Sequence, residues 1–180
     1  MFSLNEKVVY PGYGVARVSR IVEKSVGGQK ITFYEFVVLN NNMTVMIPID
    51  RLHEVGIRKV SMQHIDSLFV LLERPFKKKI SEIPTANWTK KSRVYWGGLR
   101  TGDLNSVCRI YQELMYISTE KELSYSEKKL LQSTENLLVE EILAATEMNE
   151  CQAREKLRLI TKKSTRKFKE AGALKPHESA

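Results

Sequence analysis

Lys7-Val8-Val9-Tyr10-Pro11-Gly12-Tyr13-Gly14-Val15-Ala16 is the stretch on which the fold of the N-terminal part of the chain turns. Lys7 to Tyr10 is β-branched and aromatic, Pro11-Gly12-Tyr13-Gly14 reverses the chain, and an alternating run follows from Val15 to Val22. In that run Val15 and Arg17 face one side, Ala16 and Val18 the other. Further out, Gly27-Gly28 makes a second turn, Ile31 to Leu39 is a strand rich in Phe, Tyr and Val, and Asn40-Asn41-Asn42 turns again. Met43 to Ile49 adds a strand, with Pro48 at its end. Four or five short strands with tight turns in about 60 residues predict a small, strongly bent barrel of SH3 or Tudor type. Glycines at 12, 14, 27 and 28 supply the positive φ that such turns need.

From Ser61 the apolar period becomes helical. Ile65, Leu68, Phe69 and Leu72 recur at three- and four-residue steps until Pro75 stops the helix. Phe76 to Ala86 reads as a basic linker, and Asn87 as the N-cap of a helix through Leu99. Gly102 ends that helix, and Asp103 caps the next, whose apolar face is Leu104, Val107, Cys108, Tyr111, Leu114 and Met115. Ser124-Tyr125-Ser126-Glu127 is a capping box opening a helix with Leu130, Leu131, Leu137, Leu138, Ile142 and Leu143. Asn149 and Gln152 cap a last helix through about Ala171. The class expected is α+β: a small SH3/Tudor-like β-barrel over residues 1–58, a compact, roughly five-helix domain over 59–171, and a polar tail over 172–180.

Hydrophobic content of 42% and charged content of 28% place the chain among ordinary globular proteins. No apolar run approaches the roughly 18 residues of a membrane span. Met1 to Lys7 lacks a signal-peptide pattern, so a cytoplasmic location is expected. The net charge of +8 is segregated: residues 74–100 carry eight basic residues and one acid, 101–150 four and ten, 151–180 nine and three. Two positive segments separated by an acidic one favour a polyanionic partner, against the plainer reading of a solvated basic face.

Catalytic chemistry finds no foothold. His53, His64 and His177 are scattered, without HExxH, GxSxG or GKS/T nearby, and Cys108 and Cys151 form no CxxC pair and read as core filler. Neither metal nor cofactor is expected, and no enzyme. The informative segment is Asn87-Trp88-Thr89-Lys90-Lys91-Ser92-Arg93, an indole in a first helical turn among three cations. Cations contact phosphates, and a ring wedges or stacks at an unpaired base step. Periodicity offers a competing role, because Trp88, Tyr95, Trp96 and Leu99 fall on one face, opposite Lys90, Arg93 and Arg100. Both roles for Trp88 stay open at this level.

Lys7-Val8-Val9-Tyr10-Pro11, Gly14-Val15-Ala16, Met43-Thr44-Val45-Met46-Ile47-Pro48, Val55-Gly56-Ile57-Arg58, Asn87-Trp88 and Thr101-Gly102-Asp103 together resemble the CarD/CdnL-type bacterial transcription regulators, whose N-terminal module is shared with the transcription-repair coupling factor. The match spans about residues 5–160. The resemblance implies a Tudor-like module that docks on the RNA polymerase β subunit by strand addition through Thr44, Val45, Met46 and Ile47, with Lys24 as a basic contact. Met46 stands where relatives often carry arginine. It further implies that Trp88 wedges into the minor groove of promoter DNA at the upstream edge of the bubble, with Lys90, Lys91 and Arg93 on phosphates, stabilising the open complex. Trp96 replaces a smaller aliphatic residue and is expected in the core. Association with the nucleoid would then follow from polymerase. The rival reading is a double-stranded nucleic-acid-binding protein that acts without polymerase.

Overall fold

The turn at Pro11–Tyr13 closes as read: the Tyr13 amide donates to Tyr10 O at 3.0 Å, and β1 (Lys7–Tyr10) pairs antiparallel with β2 (Gly14–Val26). In the computed structural model the described residues are 1–75 and 88–173, with side chains described to 166. The expected Phe76–Ala86 linker, the Asn87 cap and most of the tail lie outside them. β3 (Gln29–Val38) returns across the Gly27–Gly28 turn, β4 (Thr44–Pro48) pairs with β3, and β5 (Arg58–Lys59) pairs with β1. The antiparallel sheet runs β4-β3-β2-β1-β5, leaving β4 at one edge. A register shift between Val18 and Arg20 breaks the long β2 ladder, the kind of bulge that bends a strand.

One face of the sheet closes over Val8, Ala16, Val18, Tyr34, Phe36, Val38 and Ile47. Phe2 packs edge-on to Tyr34 and Phe36, and the Tyr34 hydroxyl bonds its backbone. The cross-strand pair Val9 and Val15 is buried as well, outside that cluster. Alternation sends these two to the other face, and a helix of the second domain covers it.

A 3₁₀ turn (Ile49–Arg51) and the single-turn α1 (Leu52–Val55) lead into β5. The helical domain is α2 (Met62–Glu73), α3 (Trp88–Thr101), α4 (Leu104–Glu120), α5 (Tyr125–Ala145) and α6 (Glu150–Ala173). Its core joins Ile65, Leu68 and Leu72 to Tyr95, Leu99, Tyr111, Leu114, Leu130, Leu138, Ile142 and Leu157. The caps form as their sequences require: Asp103 accepts from the Ser106 amide, Ser124 and Glu127 make the reciprocal box, and Asn149 and Gln152 bond each other's amides. Gln112 Nε2 donates to the carbonyls of Leu72 and Arg74 at 3.0 and 3.1 Å, satisfying acceptors that the end of α2 leaves open. At the centre Glu135 receives Tyr111 Oη at 3.0 Å and the guanidinium groups of Arg154 and Arg158.

Cys108 is buried, as expected of core filler. Cys151 is not: it sits in the first turn of α6 on the outer side, with Ala153 and Leu157 facing inward, so its thiol is exposed.

Candidate nucleic-acid and polymerase interfaces

Trp88 begins α3 with its indole half-buried. It packs on the helical core, edge-on to Tyr95 with centroids 6.3 Å apart. One side of the ring is committed to the core, and solvent still reaches the rest.

The three cations behind it do not share one environment. Lys90 and Arg93 are exposed. Lys91 turns inward, its Nζ 2.7 Å from Glu113 Oε1 of α4, with 12% of its side chain and 6% of the glutamate's exposed. The same ammonium lies 5.4 Å from the Tyr95 ring centroid. Burial, then the Glu113 carboxylate, push the Tyr95 phenol far above its usual range. With its charge neutralised internally, Lys91 joins α3 to α4 and does not stand out toward a polyanion. Its position four residues before the buried Tyr95 carries that signal, since such residues share a face.

Trp96 departs from its expected place in the core: it is 39% exposed. It lies about 80° around the helix from Trp88, at the rim of the apolar face whose centre Tyr95 and Leu99 occupy. It is also within about 60° of Arg93 and Arg100, so it shares their side of the helix and does not stand opposite them as expected. Arg100 is exposed, and neither it nor Arg93 has an anionic partner among the described residues.

In the barrel, Thr44, Val45, Met46 and Ile47 all lie in edge strand β4. Ile47 is buried in the barrel, Val45 packs against it, and Thr44 is exposed. The Val38 amide bonds Met43 O at 2.9 Å, so alternation puts Val45 and Ile47 in hydrogen-bonded pairs with Phe36 and Tyr34. The N–H and C=O groups of Thr44 and Met46 therefore point out from the sheet edge. Lys24, on β2, reaches the same outer face, its Nζ 3.4 Å from Met46 Sδ. Beside it Glu35 pairs with Arg20 at 2.9 Å, which lowers the Glu35 carboxyl below its usual range.

Sequence reasoning missed the contacts that tie these two surfaces into one frame. Glu140 of α5 accepts from the Val15 amide at 3.3 Å and from Asn40 Nδ2 at 3.1 Å. Gly14, at φ +93°, has no room for a Cβ because the Glu140 carboxylate occupies that place. Glu141 receives Arg58 Nη2 at 2.9 and 2.8 Å. Gly102, at φ +64°, lies so close to Pro11 that a Cβ would stand 2.7 Å from the proline Cβ. Burial raises the Glu140 carboxyl above its ordinary value.

Among the described residues no group of His, Cys, Asp and Glu is placed to hold a metal ion, and no helix is long and apolar enough to cross a membrane.

Comparison with known proteins bears on both halves. The family described as CarD-like/TRCF RID domain matches residues 2–61, and that described as CarD, C-terminal domain matches residues 73–158. The chain is 28% identical over 146 residues to the "Putative transcription factor YdeB" of Bacillus subtilis (strain 168), covering 79% of this chain and 90% of that protein. It is 39% identical to the 72-residue N-terminal domain of Myxococcus xanthus CarD solved by NMR, covering 33% of this chain and 79% of that one, at a TM-score of 0.29. With both family domains matched in order along one chain, the protein belongs to the CarD family of transcription regulators.

Proposed function

We propose that the protein docks on the RNA polymerase β subunit through the β4 edge and stabilises the open promoter complex through α3. The observation that carries this reading is Trp88 in the first turn of α3, seated on Tyr95 yet still reached by solvent, with Arg93 exposed and unpaired among the described residues. A ring so placed can act at a base step that is already unstacked, and only such differential binding favours melted over closed DNA. Lys90 and Arg93 supply phosphate contacts, which position without reading sequence. Lys91 supports them by holding α3 on α4. In the barrel, the outward backbone groups of Thr44 and Met46 offer a strand template, and Lys24 and Met46 line its outer face. Polymerase binding then presents α3 at high local concentration, so weak DNA contacts suffice.

The deciding measurement is open-complex lifetime together with melting temperature for Trp88→Ala. Loss of most of the lifetime with polymerase binding retained and a small change in melting temperature supports the wedge. A stable variant with a full lifetime sinks it. Tight, salt-sensitive binding of wild-type protein to free duplex, independent of polymerase, would favour the rival duplex-binding reading.

A further inference from the structure

Thr89, Arg93, Trp96 and Arg100 are spaced four, three and four residues apart, and all are exposed. They form one outer ridge along α3, starting beside Trp88 and ending at the domain junction. Gly97, next to Trp96, has nothing within 4 Å of where a Cβ would stand, so the helix backbone there is bare beside the indole. At the junction the ridge opens into a groove of about 810 Å³, lined among others by Tyr10, Tyr13, Trp96, Arg100, Asn40 and Asn136. The Tyr10 and Tyr13 rings stack at 4.8 Å, and Tyr13, the outer one, is 46% exposed. The barrel loop holds this stack against the helix end: a Cβ on Gly12 would stand 3.1 Å from Arg100 Cα. Among the lining residues Arg100 is the one cation and Glu140 the one anion. Glu140 is already engaged by the Val15 amide and Asn40.

We propose that the Arg93–Trp96–Arg100 ridge and the Tyr13 groove bind single-stranded DNA, with bases on the exposed Trp96 and Tyr13 rings and phosphates on the two arginines. Exposed π-faces accept only bases that are already unstacked, whereas arginines alone would suit duplex equally well. Arg93 and Arg100 lie about 10.5 Å apart along the helix at 1.5 Å per residue, far enough to contact separate phosphates of one strand. Asn41 and Asn136 have their side-chain oxygens engaged by the Met43 amide and Arg154 but keep amide N–H donors for base edges, whereas Asn40 spends its donors on Tyr13 O and Glu140. The site takes α3 as the DNA-facing helix and so rests on the reading above: Trp88 would mark the upstream edge of the melted region, and this ridge would hold unpaired strand beyond it.

The test uses the full chain and a labelled oligothymidylate of about 15 nucleotides, within the site sizes of single-strand-binding modules. Wild type should bind it more tightly than a duplex of equal length. Trp96→Leu should weaken it by at least about five-fold, the lower end for one lost base stack, and Arg100→Ser should weaken it with a shallower salt dependence, as for one lost phosphate contact. Trp88→Phe leaves Trp96 as the one indole in an otherwise native groove, and its fluorescence should be quenched as oligothymidylate is added. Unquenched Trp96 emission, unchanged affinity in a folded Trp96→Leu variant, or equal affinity for duplex overturns the proposal. Loss of the Trp88 wedge shows instead in open-complex lifetime, so failure of either idea is visible separately.

Discussion

Lys91 and Arg93 are two residues apart and do opposite things. Lys91 is paired inside the protein, so Lys91→Ala strips Glu113 of its counter-charge and should cost about 3–5 kcal/mol of stability, read by denaturant unfolding. Arg93→Ala should leave stability unchanged and weaken DNA binding with a salt dependence reduced by about one ion. A Lys91→Ala variant as stable as wild type would refute the internal role. Glu140 makes a prediction about pH. Its carboxyl is raised by burial, so the folded state binds its proton more tightly than the unfolded chain. That contribution is present below the ordinary carboxylate value of 4.5 and is lost as pH rises through the raised folded value. Glu127 and Glu135 are shifted down and act with the opposite sign, so the difference between wild type and Glu140→Gln isolates the term. Measured by unfolding across that window, wild type should gain on the variant as pH falls.

β4 shows what an element adds that its residues lack. Val45 and Ile47 spend their backbone groups on β3, whereas those of Thr44 and Met46 face outward. Proline at an outward position removes a docking donor and leaves the ladder intact; proline at an inward one breaks the ladder. Met46→Pro should therefore keep the barrel folded and lose binding to a β-subunit fragment in a pull-down, while Val45→Pro should lose the fold by circular dichroism. Normal docking by a folded Met46→Pro variant would remove edge pairing as the mode. In α3 the element matters equally: one turn-and-phase decides that Tyr95 and Leu99 fill the core and Trp96 stands at its rim.

Across the whole molecule, α5 holds the barrel by consecutive carboxylates, Glu140 on the backbone and amide of the barrel loops and Glu141 on Arg58. This makes the distance from β4 to α3 a property of the structure and not of a slack tether. Glu141→Ala leaves the half-buried Arg58 without its partner and should lower stability by about 3 kcal/mol. The same variant should keep binding to the β-subunit fragment and shorten open-complex lifetime, because the two surfaces no longer hold their spacing. A full lifetime in the destabilised variant would mean that docking alone, by raising local concentration, is enough.

Strand alternation around Pro11–Gly14, the Ser124–Glu127 box, the Asp103 cap and the helical stripes were legible along the chain because each depends on neighbours within a turn or a hairpin. So were the family motifs, and with them the two surfaces proposed to meet polymerase and DNA. Which strand ends the sheet, whether Lys91 is neutralised, and how much of each tryptophan solvent reaches depend on partners far away in sequence. Lys91 needs Glu113 on α4, Arg58 needs a carboxylate 83 residues on, and Val15 needs one 125 residues on. Local periodicity says which face a residue occupies, but only the tertiary packing decides what stands opposite that face, and here that decides whether a charge or a ring is left to act.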